Sequence, residues 1–225
     1  MTEDRGLKVR VKTARGRKLS STLWLERQLN DPYVHEAKRL GLRSRSAFKL
    51  KEINERYHLI KPNQCVLDLG AAPGGWSQVA AEAVRAGEGP GRVIAVDLQD
   101  VAPMADVEIL KLDFMDFGAT EKLKQQLGDQ SVDVVLSDMA APATGHKSTD
   151  HLKIMALLEA AYEFALDILT PGGTFMGKVL QGGTETSILA EMKRSFANVQ
   201  HVKPKASRQD SSELYVLGTC LRKSD

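Results

Sequence analysis

The chain has 225 residues, 42% hydrophobic and 27% charged, enough for one sizeable buried core and tight for two domains. No apolar run approaches the roughly 20 residues that span a bilayer, and no apolar stretch follows the charged N-terminus as a secretory signal requires, so a cytoplasmic protein is expected. Net charge is only +2, which by itself does not mark a nucleic-acid binder.

The charge is unevenly placed. Arg5, Lys8, Arg10, Lys12, Arg15, Arg17 and Lys18 crowd the start against only Glu3 and Asp4. Residues 1–30 lack apolar periodicity and read as a flexible basic arm, which leaves residues 31–225 as a single domain. Arg39, Arg43 and Arg45 follow, and Lys203, Lys205 and Arg208 cluster again near the other end. Such blocks are commonly solvated faces. They also suit a phosphate-binding surface assembled from both ends of the chain.

From Tyr33 to Leu59 the pattern is helical, with Phe48, Leu50, Ile53 and Tyr57 on one face, and Pro62-Asn63 closes it. Short β-branched runs then predict strands at Cys65–Leu69, Arg92–Asp97, Val107–Lys111, Val132–Ser137, Gly173–Val179, Val199–Val202 and Leu214–Leu221. Helical patterns fill Trp76–Arg85, Thr120–Leu127, His151–Leu169 and Thr186–Phe196. This alternation predicts an α/β fold with a mostly parallel, doubly wound sheet and helices on both faces. Lys203 to Glu213 is too short for a crossover helix, so the last two strands are expected to form a hairpin whose final strand runs antiparallel. Cys65 and Cys220 sit in apolar runs and read as buried reduced thiols. His146 and His151 match no zinc spacing, and no metal is expected.

Ligands of open parallel sheets sit beyond the carboxyl ends of the strands. There the first strand runs into Gly70-Ala71-Ala72-Pro73-Gly74-Gly75-Trp76-Ser77, whose small residues let a ligand approach the backbone and the start of the next helix. The loop is neither Gly-x-Gly-x-x-Gly nor a P-loop, which disfavours a phosphate cradle. Asp97, about 20 positions further on at the end of the second strand, is placed to accept from ribose hydroxyls. Asp113, after the third strand, is placed to accept from an adenine amine. Each is alternatively a solvated strand-end carboxylate. Together they describe adenosine without phosphate, the adenosyl part of S-adenosylmethionine.

Ser44-Arg45-Ser46-Ala47-Phe48-Lys49-Leu50, Asp68-Leu69-Gly70-Ala71-Ala72-Pro73-Gly74-Gly75-Trp76-Ser77-Gln78, Ser137-Asp138-Met139-Ala140, Lys178-Val179-Leu180-Gln181-Gly182 and Ser211-Ser212-Glu213-Leu214-Tyr215 resemble the FtsJ/RrmJ family, in order, from Leu19 to Arg222. The resemblance implies a Rossmann-like class I S-adenosylmethionine-dependent methyltransferase with a seven-stranded sheet. It implies a catalytic tetrad of Lys49, Asp138, Lys178 and Glu213, and cofactor contacts from Gly74, Trp76, Asp97, Asp113 and Asp138. It also implies methylation of a uridine ribose 2′-hydroxyl in the A-loop of 23S ribosomal RNA, within the large ribosomal subunit; nothing in the sequence demands an oligomer, and a monomer is expected. One departure is visible: the family's Asp-Met-Ala-Pro-Asn becomes Asp138-Met139-Ala140-Ala141-Pro142, so Pro142 stands where the asparagine would be.

A ribose hydroxyl is a poor nucleophile because it keeps its proton. A lysine beside it can take that proton when neutral or stabilise the developing alkoxide when charged. Lys178 lies inside Phe175–Leu180, where burial without purpose is costly, and is the residue expected to act on the hydroxyl. Asp138 is expected between substrate and methyl donor, with Lys49 and Glu213 orienting them. Three alternatives stay open: 2′-O-methylation of tRNA or another RNA, a nucleotide-dependent dehydrogenase, and a non-catalytic RNA-binding protein of this fold.

Overall fold

Val66 and Leu67 face opposite sides of strand β1, and both are fully buried. A strand apolar on both faces belongs in the middle of a covered parallel sheet. The computed structural model describes residues 9–223 apart from 14, 129, 143 and 182–185. Arg5 and Lys8 of the basic arm, and Gly182 of the fourth motif, lie outside the described residues. The strands are β1 (Cys65–Leu69), β2 (Arg92–Asp97), β3 (Val107–Lys111), β4 (Val132–Ser137), β5 (Leu169–Leu180), β6 (Phe196–Val202) and β7 (Glu213–Leu221), in the order β3-β2-β1-β4-β5-β7-β6. Every pairing is parallel except those of β7, which runs antiparallel between β5 and β6. Strand order reverses where β1 meets β4, so the crevice expected of such a sheet opens beyond Leu69 and Ser137.

Helices cover both faces. Helices α3 (Ala47–Tyr57) and α4 (Gly75–Val84) pack on the side of Val66, Val134, Met176 and Tyr215. Helices α5 (Ala119–Leu127), α6 (Lys147–Ile168) and α7 (Thr186–Ser195) pack on the side of Leu67, Val135 and Phe175. Among the described residues no helix is long and apolar enough to cross a membrane.

Three sequence expectations are corrected. The helical stretch from Tyr33 to Leu59 is two helices, α2 (Pro32–Arg39) and α3. Gly41, at φ +68°, ends α2 with Leu42 N–H donating to Ala37 O at 2.8 Å, and the chain then turns. Leu19–Leu29, expected within the unstructured arm, forms α1. Its leucines, Glu26 and Arg27 favour helix intrinsically, although none of its side chains is buried and no single apolar face announces it. Cys220 is exposed rather than buried, because the apolar strand β7 leaves the core near its end; Cys65 is buried, and both thiols are free.

Candidate active site

The crevice at the switch is a cleft of about 490 Å³, lined among others by Gly70, Asp97, Asp113, Met115, Asp138 and Pro142. Its floor is set by a backbone contact. Gly70 has φ +81°, and a Cβ there would stand 2.7 Å from Met139 N, so only glycine lets the loops after β1 and β4 meet. Asp138 N–H donates to Leu69 O at 3.0 Å and fixes the same junction.

The expected cofactor residues divide. Asp97 lines the cleft while its two oxygens accept from Ala72 N–H at 2.8 Å and Gln99 N–H at 2.7 Å, tying the glycine loop to the end of β2. Asp113 lines it with one oxygen held by Met115 N–H at 3.0 Å. Gly74 and Trp76 do not line it. Gly74, at φ +105°, starts α4, and the Trp76 ring is buried in the core against Tyr215 with its indole N–H on Ser46 O at 2.9 Å. Trp76 thereby fixes the turn from which α3 and Lys49 emerge. Lys153 and Leu157 of α6 form a wall that the sequence reading missed, because an exposed lysine on a helix carries no distinguishing signal.

The tetrad comes together. Lys178 on β5 is paired in register with Tyr215 on β7, and Leu180 with Glu213. Side chains two apart on a strand share a face, so Lys178, Tyr215 and Glu213 project to the side of α3, where Lys49 lies. Lys178 Nζ is 2.8 Å from Asp138 Oδ1 and donates to Asp138 O at 2.8 Å. Lys49 Nζ donates to Glu213 Oε2 at 3.2 Å and to Tyr215 OH at 3.1 Å. Tyr215 OH in turn donates to Asp138 Oδ1 at 3.0 Å. The result is one chain of polar contacts from Lys178 to Glu213, with Tyr215 as the link absent from the sequence reading. Asp138 Oδ2 has no hydrogen-bond partner among the described residues.

Both lysines are buried, at 6% exposure each, and neither stands alone. Burial opposes the charge of Glu213, but Lys49 and Lys178 outweigh it and hold the carboxyl below its ordinary value. Burial, with Asp138 and Glu213 nearby, pushes the Tyr215 hydroxyl well above its usual range and keeps it a donor. Behind the glycine loop, burial raises the Asp68 carboxyl to about 7, against the hydrogen bond it accepts from Ser77 Oγ at 2.6 Å.

Two arginines expected on phosphates are engaged elsewhere. Arg43 donates to Ala102 O and Pro103 O at 2.6 Å each and to Pro73 O at 3.4 Å, clamping the glycine loop to the loop after β2. Arg45 Nε lies 2.8 Å from Asp31 Oδ2, and its guanidinium donates to Ala206 O at 2.7 Å. Among the described residues no cluster of His, Cys, Asp and Glu is arranged to hold a metal.

A Rossmann-like sheet whose switch-point cleft joins a buried lysine–carboxylate chain is the architecture of a methyltransferase. The sequence matches the FtsJ-like methyltransferase family over residues 42–221, and the chain belongs to that family. Its relatives include the ribosomal RNA large subunit methyltransferase E of Paramagnetospirillum magneticum, 58% identical over 98% of this chain and 91% of the relative. The protein of the same name in Xanthobacter autotrophicus is 56% identical over 98% of this chain and 86% of its own. A solved protein of Plasmodium falciparum, assigned as a ribosomal RNA methyltransferase, matches at a TM-score of 0.71 and 29% identity, covering 81% of this chain and 100% of that one.

Proposed function

We propose that this protein transfers a methyl group from S-adenosylmethionine to the 2′-hydroxyl of a uridine ribose in the A-loop of 23S ribosomal RNA, acting on the large ribosomal subunit. The observation that carries this reading is the double position of Asp138, which lines the cleft and also receives Lys178 and Tyr215. Cofactor space and nucleophile-activating groups therefore meet at one carboxylate. The relatives, ribosomal RNA large subunit methyltransferases by name, support large-subunit ribosomal RNA as the substrate class.

The cleft suits the adenosyl group. Gly70 leaves the backbone open, Asp97 and Asp113 each retain acceptor capacity, and the walls are mainly apolar. Bound there, S-adenosylmethionine supplies an electrophilic sulfonium methyl. Lys178 Nζ donates to Asp138 O and lies 2.8 Å from Asp138 Oδ1, which leaves it a further N–H to offer the ribose oxygen. That donor stabilises negative charge as it develops on the 2′-oxygen. Asp138 Oδ2 accepts a hydrogen bond from the hydroxyl and aims it, and the released proton leaves to water. Lys49, Glu213 and Tyr215 hold this pair in place.

The test is transfer of labelled methyl to large subunits, small subunits and bulk tRNA that lack their modifications, with the site mapped by resistance to alkaline cleavage. One ribose of the large subunit is expected to be labelled, and Lys178→Ala to lower the rate at least about 100-fold, the scale of losing a charge-stabilising donor. S-adenosylhomocysteine binding should survive that substitution. Labelling of tRNA instead would replace the substrate, and full activity in the variant would remove Lys178 from the chemistry.

A further inference from the structure

A second groove, of about 680 Å³, lies between α1–α2 and the link joining β6 to β7. Arg27, Tyr33, Arg45, Lys205, Ser207 and Arg208 line it, so Arg27 and the block that holds Arg45 meet the C-terminal block there. Its floor is rigid. Asp31, only 8% exposed, takes Arg45 at 2.8 Å and Arg208 at 3.3 Å. Glu52 of α3 accepts the backbone N–H groups of Lys205 and Ala206 at 2.9 and 3.2 Å, pinning the link.

Three groups in this floor and rim are unspent. Arg27 and Lys205 make no ion pair among the described residues. Ser207 is 6% exposed, and its Oγ is buried without a hydrogen-bond partner. A buried hydroxyl left unpaired is costly, so the site is built for a partner that supplies the missing bond. The groove is tied to the tetrad along the chain: Arg45 stands four residues before Lys49, and the link that carries Ser207 leads into Glu213.

We propose that this groove is a second RNA subsite, holding the sugar–phosphate strand beside the target nucleotide. Phosphate oxygens lie between Arg27 and Lys205, and Ser207 Oγ donates to one of them. Two charges of opposite sense, Glu26 and Asp210, also line the groove and work against a polyanion. This inference rests on the RNA reading given above and adds the place where the flanking strand is gripped.

The experiment measures binding of an unmodified large-subunit rRNA transcript by fluorescence anisotropy across a salt series, with S-adenosylhomocysteine affinity and melting temperature measured in parallel. Arg27→Gln with Lys205→Gln is expected to raise Kd at least about tenfold. The slope of log affinity against log salt should flatten by about 1.4 to 1.8, the signature of two lost phosphate contacts. Ser207→Ala should weaken binding about threefold. Asp210→Asn should tighten it, which a merely structural role would not produce. Cofactor affinity should stay unchanged throughout, and melting temperature should hold in the Arg27, Lys205 and Asp210 variants and rise in Ser207→Ala, which loses an unpaired buried hydroxyl. Wild-type protein that binds the transcript while these variants match it overturns the groove and leaves the methyl-transfer reading standing. Where the wild type binds only assembled large subunits, the same comparison is made on them, and wild-type protein that neither binds nor methylates transcript or subunit overturns both.

Discussion

Tyr215 is the residue through which the two lysines share one site, since its hydroxyl accepts from Lys49 and donates to Asp138. Tyr215→Phe removes both contacts and leaves the ring's packing against Trp76. Methyl transfer should fall about 10- to 100-fold, since a hydrogen bond to a charged group is worth roughly 1.5–3 kcal/mol, while cofactor KM holds. Equal loss in kcat and cofactor affinity would assign Tyr215 to packing. In the sequence Tyr215 reads as one more aromatic in a strand; only the register opposite Lys178 gives it a role. Asp68 carries a different consequence. Its folded carboxyl sits at about 7, above the ordinary 3.8, so between those values the folded state keeps a proton that the unfolded state releases. Stability therefore falls as pH rises through that window. Asp68→Asn cannot titrate, so in urea melts from pH 4 to pH 8 the variant should gain on the wild type as pH rises; parallel curves would refute this.

At the level of elements, the boundaries of β1 to β4 were legible to the residue, because each is a short run rich in β-branched and aliphatic residues bounded by turn or polar residues. What was not legible depended on contacts between segments. Gly41 turns the chain between α2 and α3, yet inside a charged helical pattern it looks like a tolerated interruption. Arg43 and Arg45 look like free cations in sequence, and only the folded loops supply the carbonyls and the carboxylate that occupy them. The Arg43 clamp joins the segment leading to Lys49 to two of the loops beside the cleft, those after β1 and β2. Arg43→Ala should raise the Kd for S-adenosylhomocysteine about tenfold in calorimetry, as the loss of charge-assisted bonds to two loops implies. Arg43→Lys should restore little, since one ammonium cannot replace a planar fork. A normal cofactor Kd with weakened RNA binding would return Arg43 to the phosphate role.

For the molecule as a whole, cofactor binding is readable as stability. S-adenosylhomocysteine at 100 times its Kd adds about 2.7 kcal/mol, which for a domain of this size raises the melting temperature by about 5–10 °C. NAD should produce no shift, and absence of any shift from S-adenosylhomocysteine would overturn the proposed donor.

The antiparallel insertion of β7 divides labour along the chain. Gly70, Asp97, Asp113 and Asp138, the polar lining of the cleft, are all translated before β5, whereas Glu213 and Tyr215 belong to a strand later than both of its sheet neighbours. Until β7 slots between β5 and β6, two open strand edges face each other and the relay from Lys49 to Asp138 has no middle. A chain emerging from the ribosome thus carries the residues proposed to hold the donor well before it carries those that complete the relay.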